Sequence, residues 1–210
     1  MADHSIPEVF SDHERLSVGL CFSRGLELVK KSLGPLVVWS LFLAGLSWLI
    51  GVLSAGIALA AAVLVTIPAS LGLYAAVYAT ARGEEVTAAV LFSGFKRPAA
   101  YILGLLVFVS VLLGTVAFVV PGIYLLLALV WTECFMQGRD KNALTAYRSS
   151  IVLFNRNLGF CLILAVVSYV LYAIGTMTFA LAALTLPLRV AMEVVGFELL
   201  LSQDRNRDLG

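Results

Sequence analysis

Six stretches of continuously apolar residues constrain this 210-residue chain more than any other feature. An α-helix needs about 17–25 apolar residues to cross a hydrocarbon core of about 30 Å, and each stretch is long enough to do so. They lie near residues 35–56, 60–80, 99–119, 121–137, 158–180 and 183–202. Because the apolar residues are continuous rather than alternating with polar ones, they predict helices and not barrel strands. The sequence therefore predicts an all-α integral membrane protein with six transmembrane helices.

The composition excludes a soluble protein. Hydrophobic residues make up 61% of the chain and charged residues 13%, whereas soluble domains have about 45–50% and about 25%. A soluble domain of this size needs a polar shell, because much of its surface stays in contact with water. We expect residues 14–202 to form a single membrane domain, between a flexible N-terminal tail over 1–13 and a cytoplasmic tail over 203–210. No cleaved signal peptide is predicted, since no apolar stretch begins before Pro35.

With one exception, basic residues lie in the two terminal segments and in every second connection between the apolar stretches. Of the 14 Lys and Arg residues, only Arg189 lies outside these segments. The other connections are short and uncharged. We call the two ends of the bundle the basic side and the uncharged side. Since basic connections stay in the cytoplasm, the pattern predicts an even number of spans with both termini in the cytoplasm.

Two segments on the basic side are predicted to be amphipathic helices in the membrane interface, near residues 14–33 and 141–156. The apolar face of the first contains Val18, Phe22, Gly25, Leu26, Val29 and Leu33. The apolar face of the second contains Leu144, Tyr147, Ile151 and Phe154. Ser11 with Glu14 has the spacing of a capping box, and Asp140 is expected to cap the second helix.

The basic residues of these segments are candidate contacts to anionic phospholipid headgroups, which attract nearby cations by roughly 1 kcal/mol each. The candidates are Arg24, Lys30, Lys31, Lys96, Arg97, Lys141, Arg148 and Arg156. Ordinary positive-inside bias explains the same enrichment, so that alternative stays open.

Three prolines at comparable places indicate a threefold repeat: Pro68, Pro121 and Pro187. An aromatic residue follows each of them after ten positions, and these are Tyr78, Trp131 and Phe197. Each unit would consist of an interfacial helix and two spanning helices with the proline between them. The alternative is that the three prolines share these places by chance. The dipeptide Pro121-Gly122 is predicted to form the turn between the third and fourth spans.

A Pro-Gly-Ile-Tyr sequence opens the fourth apolar stretch, and a segment rich in Ala, Ser and Asn precedes the fifth. The residues concerned are Pro121, Gly122, Tyr124, Ala143, Leu144, Ser149, Ser150, Asn155 and Asn157. This stretch resembles the YciC-type bacterial inner-membrane proteins, which are similar to the membrane domain beside glycerophosphoryl diester phosphodiesterases. The resemblance implies a six-helix domain of unassigned activity in the bacterial inner membrane. It implies no catalytic site, because the phosphodiesterase chemistry belongs to a separate soluble domain.

Ionisable residues inside the predicted spans are functional candidates, since a charge at the bilayer centre costs about 2.5–3.5 kcal/mol. Arg189 and Glu193 are the main candidate site; they are four residues apart and are expected roughly 9 and 15 Å from the uncharged end of their helix. They could bind a headgroup, line a permeation path, or form a purely structural pair. Glu133 and Glu198 are weaker candidates near the basic side, and Glu133 is expected at too different a depth to meet Arg189.

The sequence predicts no catalytic, metal or cofactor site, and it predicts no nucleic-acid partner. The only two histidines are His4 and His13, so a histidine-based triad in the membrane core is excluded. The favoured function is a non-enzymatic membrane domain that binds lipid or a partner protein. The alternative is a small transporter or channel whose pathway is lined by polar residues of the sixth helix. Protein partners and homo-oligomerisation stay open.

Overall fold

The computed structural model describes residues 16–51, 62–117, 119–138 and 142–208, and over these ranges the chain is helical with short turns and no strand. The helices are α1 (Val18–Lys31), α2 (Leu33–Gly51), α3 (Ile67–Ala81), α4 (Ala88–Leu91), α5 (Pro98–Ala117), α6 (Val119–Ala128), α7 (Thr132–Gly138), α8 (Ala143–Arg156), α9 (Leu158–Met177) and α10 (Phe179–Asp208). A π-helical turn, Ala62–Thr66, precedes α3, and a 3-10 turn, Ser93–Lys96, precedes α5. The predicted tail over 1–13, both histidines, Glu14, Asp140 and Lys141 lie outside the described residues.

Within the described residues, six helical segments are long and apolar enough to cross a membrane: α2, α3 with its π turn, α5, α6 with α7, α9 and α10. This confirms the all-α membrane fold. Along the chain they form units of the predicted order, each a short helix followed by two spans. The units are α1–α2–α3, α4–α5–α6/α7 and α8–α9–α10. The predicted place of the proline between the spans is wrong, because Pro68 and Pro121 lie in the first turns of α3 and α6 and Pro187 lies inside α10.

The spans α3 and α10 form the centre of the bundle. In their apolar cores 72% and 67% of the residues are buried, against 22% in α2, 17% in α5 and 28% in α9. The outer helices expose large apolar side chains, of which Val38, Leu113 and Val170 are examples. A hydrocarbon environment accepts such a surface and water does not. The outer helices therefore provide a lipid-facing shell around α3 and α10.

The hairpin between α5 and α6 depends on close glycine packing. A Cβ on Gly122 would overlap Oγ1 of Thr115 and lie 2.8 Å from its Cα, and one on Gly114 would lie 3.0 Å from Cα of Gly122. The prediction that Pro121-Gly122 forms the turn is wrong, because both residues lie in the first turn of α6, which begins at Val119. Proline is tolerated there since first-turn amides have no helical partner. Gly122 instead permits contact between two helix backbones.

The fourth span is interrupted, where a continuous helix over 121–137 was predicted. Helix α6 ends at Ala128 and α7 begins at Thr132. Ser150 Oγ donates to the Ala128 carbonyl oxygen at 2.7 Å, and Thr132 Oγ1 donates to that of Leu129 at 2.7 Å. An unsatisfied carbonyl in hydrocarbon costs several kcal/mol. These hydroxyl groups therefore stabilise the break inside the bundle.

The faces that α1 and α8 bury against the bundle only partly coincide with their predicted apolar faces. Phe22 and Leu33 of the predicted α1 face are 44% and 48% exposed, and Leu144 of the predicted α8 face is 44% exposed. Helix α1 packs on α10 through Gly25, whose added Cβ would lie 3.1 Å from the backbone nitrogen of Met192. An amphipathic helix at a membrane can place apolar side chains in lipid, so its whole apolar face need not contact protein.

The caps of these two helices differ from those predicted. Ser17 Oγ accepts from the Leu20 amide at 3.1 Å, and Asn142 Oδ1 accepts from the Leu144 amide at 3.0 Å. The helices begin later than the sequence pattern indicated, and an N-cap directly precedes the first helical residue. Asn142 therefore caps α8 in place of Asp140.

Helix α10 is longer than the predicted span over 183–202. It begins at Phe179 and continues to Asp208, through most of the segment predicted as a tail. Polar residues end the apolar stretch on which the prediction was based, but they do not end the helix. This explains why α10 extends beyond the predicted span at its C-terminal end. Arg189 and Glu193 lie 10 and 14 residues after the helix start, or about 15 and 21 Å. Both are therefore deeper than expected.

Candidate intramembrane polar site

Arg189 and Glu193 of α10 form an ion pair inside the bundle. Nε of Arg189 lies 2.9 Å from Oε1 of Glu193, and the two side chains are 18% and 0% exposed. Residues four apart on a helix lie one above the other, so this spacing places the groups in contact. The hydroxyl group of Tyr74, on α3, donates to the other carboxylate oxygen, Oε2. Glu193 is therefore bonded through both oxygens, as a buried charge requires.

Two tyrosines of α9 cover the guanidinium group of Arg189. Its Cζ lies 5.6 Å from the ring centroid of Tyr169 and 5.2 Å from that of Tyr172. Both distances are within the roughly 6 Å over which a cation is attracted to an aromatic face. The Tyr169 hydroxyl donates to the carbonyl oxygen of Leu126 at 3.0 Å, which ties α9 to α6. The arginine is thus held between a carboxylate and aromatic rings.

Glu133 of α7 joins this cluster from another span. Its Oε1 lies 2.5 Å from Oγ of Ser70 on α3. Glu133 and Glu193 each lie 14 residues after the start of their span. Both spans start on the uncharged side, and the residues that bond the two carboxylates, Ser70 and Tyr74, are about one helical turn apart on α3, so the carboxylates lie at similar depths. The prediction that depth keeps Glu133 apart from Arg189 is wrong, because both line one cavity.

This cavity has a volume of about 160 Å³. Thr132, Glu133, Tyr169 and Arg189 supply its polar wall. The apolar wall consists of Ile67, Leu103, Val107, Leu126, Leu129 and Val130. A cavity of roughly 150 Å³ accommodates a benzene-sized molecule, so a small solute or several waters fit here.

The charge balance of the cluster favours a positively charged occupant. Arg189 faces the carboxylates Glu133 and Glu193, so one negative charge remains when both are ionised. A cation near a carboxylate in a low-dielectric site favours the charged form of that carboxylate. The site can therefore accept a small cation or a strong hydrogen-bond donor.

The break in the fourth span orients Glu133. Helix α7 restarts after the turn with Glu133 in its first turn, where the free amide groups favour a carboxylate. Trp131, inside the turn, stacks on Phe197 of α10 with ring centroids 6.2 Å apart. The turn is therefore anchored to the same helix that carries Arg189 and Glu193.

Glu198 lies apart from this cluster, closer to the basic side. Its Oε1 accepts from the Tyr78 hydroxyl at 3.2 Å.

The candidate lipid contacts differ in how exposed their side chains are. Lys30, Lys31, Lys96, Arg148 and Arg156 are exposed, Arg24 and Arg97 are partly buried, and Lys141 lies outside the described residues.

Sequence reasoning missed four members of the cluster, namely Ser70, Tyr74, Tyr169 and Tyr172. None of them carries a charge, so a search for ionisable residues within apolar stretches passes over them. A signal was present in their spacing. Ser70 and Tyr74 are four residues apart, and the two tyrosines of α9 are three residues apart. Each pair therefore places its polar atoms on one face of its helix.

Comparisons of this chain with protein-family models, curated proteins and solved structures found no match. The resemblance to the YciC-type proteins therefore stays a prediction.

Proposed function

We propose that this multi-pass membrane protein is a small transporter or channel whose pathway passes the polar site and whose solute is a small cation. The observation that carries the proposal is the cavity in the bundle core whose wall includes Glu133 and Arg189. Polar residues at this depth are expensive, and they are characteristic of solute and ion pathways.

The alternative is that the charges only lock helix packing. Arg189 and Glu193 neutralise each other, and such a pair is complete without a further charge. Glu133 comes from another span and adds a second carboxylate that faces the cavity. The Arg189–Glu193 pair does not neutralise this extra carboxylate, which a bound cation would do.

The interrupted fourth span favours the same function. Leu129 and Val130 of the turn and Thr132 of α7 all line the cavity. In secondary transporters, binding sites near the midplane are typically formed where spanning helices are discontinuous. Irregular backbone at membrane depth is tolerated where it lines a cavity or is buried in protein, and Leu129 and Val130 are buried residues that also line the cavity.

Cation binding is tested by the thermal unfolding of the purified protein in a neutral detergent. Na⁺, K⁺ and methylammonium are titrated at constant ionic strength, with choline as the inert and larger cation. We expect at least one of the three to raise the unfolding temperature saturably, since a ligand at about 100 Kd stabilises by about 2.7 kcal/mol. Glu133→Gln, which is nearly isosteric, should abolish the increase.

Glu84→Gln is the matched control, because it makes the same chemical change at an exposed carboxylate on the basic side. It should leave the increase unchanged. The proposal fails if none of the three cations stabilises the protein, or if the two variants respond alike.

We further propose that the protein resides in the bacterial inner membrane with its basic side in the cytoplasm, as the loop charges favour. Its role in this proposal is non-enzymatic. Contacts to anionic headgroups are a second candidate function, which is favoured by the exposure of Lys30, Lys31, Arg148 and Arg156 on the basic side.

A further inference from the structure

A second and larger cavity lies on the basic side, between the end of α3, the α4 segment and α7. Its volume is about 320 Å³. Arg82, Arg97, Tyr78, Ser93 and Gln137 supply its polar lining. It is lined by none of the residues of the intramembrane cavity, so what it binds is independent of the function proposed above.

Arg97 is fixed in this wall by α7. One of its Nη atoms donates to the Met136 carbonyl oxygen at 3.2 Å and to Oε1 of Gln137 at 3.0 Å. The Gln137 amide nitrogen in turn donates to the Leu71 carbonyl oxygen at 2.7 Å. The guanidinium group is therefore held in place before any ligand arrives, which lowers the entropy cost of binding.

Arg82 is held by Glu84. Its Nε and Nη2 lie 2.7 and 3.0 Å from the two carboxylate oxygens, and both side chains are about half exposed. These bonds keep the pKa of Glu84 below its usual range, so the carboxylate stays ionised and competes for the guanidinium group. Glu198, which accepts from the lining residue Tyr78, is a further carboxylate near the cavity wall. An incoming anion must therefore bind mainly through Arg97.

Ser93 supplies a polar atom that still needs a partner. Ser93 lines the cavity, and its hydroxyl oxygen is buried and has no hydrogen-bond partner among the described residues. An unsatisfied buried hydroxyl costs about 1–3 kcal/mol. A ligand that accepts from Ser93 and Arg97 together would remove this cost.

We infer that this cavity binds a phosphate group, either of a phosphate ester or of free phosphate, with Arg97 and Ser93 as its principal donors and Arg82 at its rim. Guanidinium groups match phosphate geometry through paired N–H donors. The phosphate can belong to an anionic phospholipid headgroup or to a free phosphate, since basic pockets beside spanning helices receive the first and the cytoplasm supplies the second. The exposed Lys96 next to Arg97 does not line the cavity.

The test uses the purified full-length protein in a neutral detergent, with two ligand arms. Thermal unfolding is titrated with inorganic phosphate against chloride at equal ionic strength. Retention of phosphatidic acid, phosphatidylglycerol and phosphatidylcholine is measured by native mass spectrometry. We expect saturable stabilisation by phosphate, retention of the anionic lipids over phosphatidylcholine, or both. Stabilisation by phosphate without retention of anionic lipid identifies a free phosphate as the ligand. Retention of anionic lipid without stabilisation by phosphate identifies a lipid headgroup.

Three variants localise the binding. Arg97→Gln should weaken it about tenfold or more, as expected for loss of a charge-assisted hydrogen bond. Lys96→Gln makes the same charge change one residue away and should stay within about twofold of the parent protein. Because Arg97→Gln also loses the bonds to α7, Ala89→Leu provides a second variant that fills the cavity and keeps every arginine.

The inference is overturned if neither phosphate nor an anionic lipid binds. It is also overturned if Lys96→Gln weakens binding as much as Arg97→Gln, or if Ala89→Leu leaves binding unchanged in a folded protein. Either result would mean that the anion interacts with the exposed surface charge and not with the cavity.

Discussion

At the scale of single residues, the Arg189–Glu193 pair shows how a buried charge is kept in the bundle. Removing one member of such a pair leaves an uncompensated charge and costs about 3–5 kcal/mol, whereas replacing both with apolar residues is often neutral. We therefore expect Glu193→Leu to lower the free energy of unfolding by up to that amount, since Glu133 remains in the same cavity as Arg189, and Arg189→Met with Glu193→Leu to recover most of it. Reversible unfolding in mixed micelles measures both. A double variant as unstable as the single one would show that the pair contributes net stability.

The sequence was informative about charged residues and uninformative about their neutral partners. Arg189 and Glu193 are recognisable because they are charged within an apolar stretch and four residues apart. Tyr74 and Ser70 contact the two carboxylates from another helix, across more than 60 residues of chain. Which helix faces lie together depends on tertiary packing, and one sequence contains no direct record of it.

At the scale of helices, Gly122 determines how closely α5 and α6 pack. An added methyl group would overlap the backbone of Thr115, so one helix must shift. We expect Gly122→Ala to destabilise the protein by about 1–3 kcal/mol, as overpacking usually does. Gly159→Ala in α9 is the control, because nothing lies within 4 Å of its added Cβ. It should be neutral or slightly stabilising, since alanine favours helix. Equal effects of the two changes on the unfolding midpoint would contradict close packing at Gly122.

Hydropathy located the spanning helices but not their interruption. The residues of the break, Leu129 to Trp131, are apolar and resemble their neighbours in the span. The break depends on hydroxyl groups that satisfy the freed carbonyl oxygens, and Ser150 on α8 is one of them. The extent of α10 was missed at both ends for a related reason, because hydropathy marks the membrane-buried part of a helix and not its limits.

At the scale of the whole molecule, three helical units place their second spans so that α3, α7 and α10 meet in the core. The two carboxylates at similar depth come from α7 and α10, and the residues that bond them come from α3. The alternating charge of the connections and the order of short and long helices were readable from the sequence. The cavity was not, since it arises from the packing of these units.

Cation flux through proteoliposomes tests the central claim most directly. The uptake of ²²Na⁺, of ⁸⁶Rb⁺ as a substitute for K⁺, and of radiolabelled methylammonium is compared with that of protein-free liposomes. We expect uptake of at least one cation above this background. Glu133→Gln should reduce it about tenfold or more, as for a lost charge-assisted contact, and Glu84→Gln should leave it within about twofold. Background uptake of all three cations, or an undiminished rate in a folded Glu133→Gln protein, would contradict a transport pathway through this site.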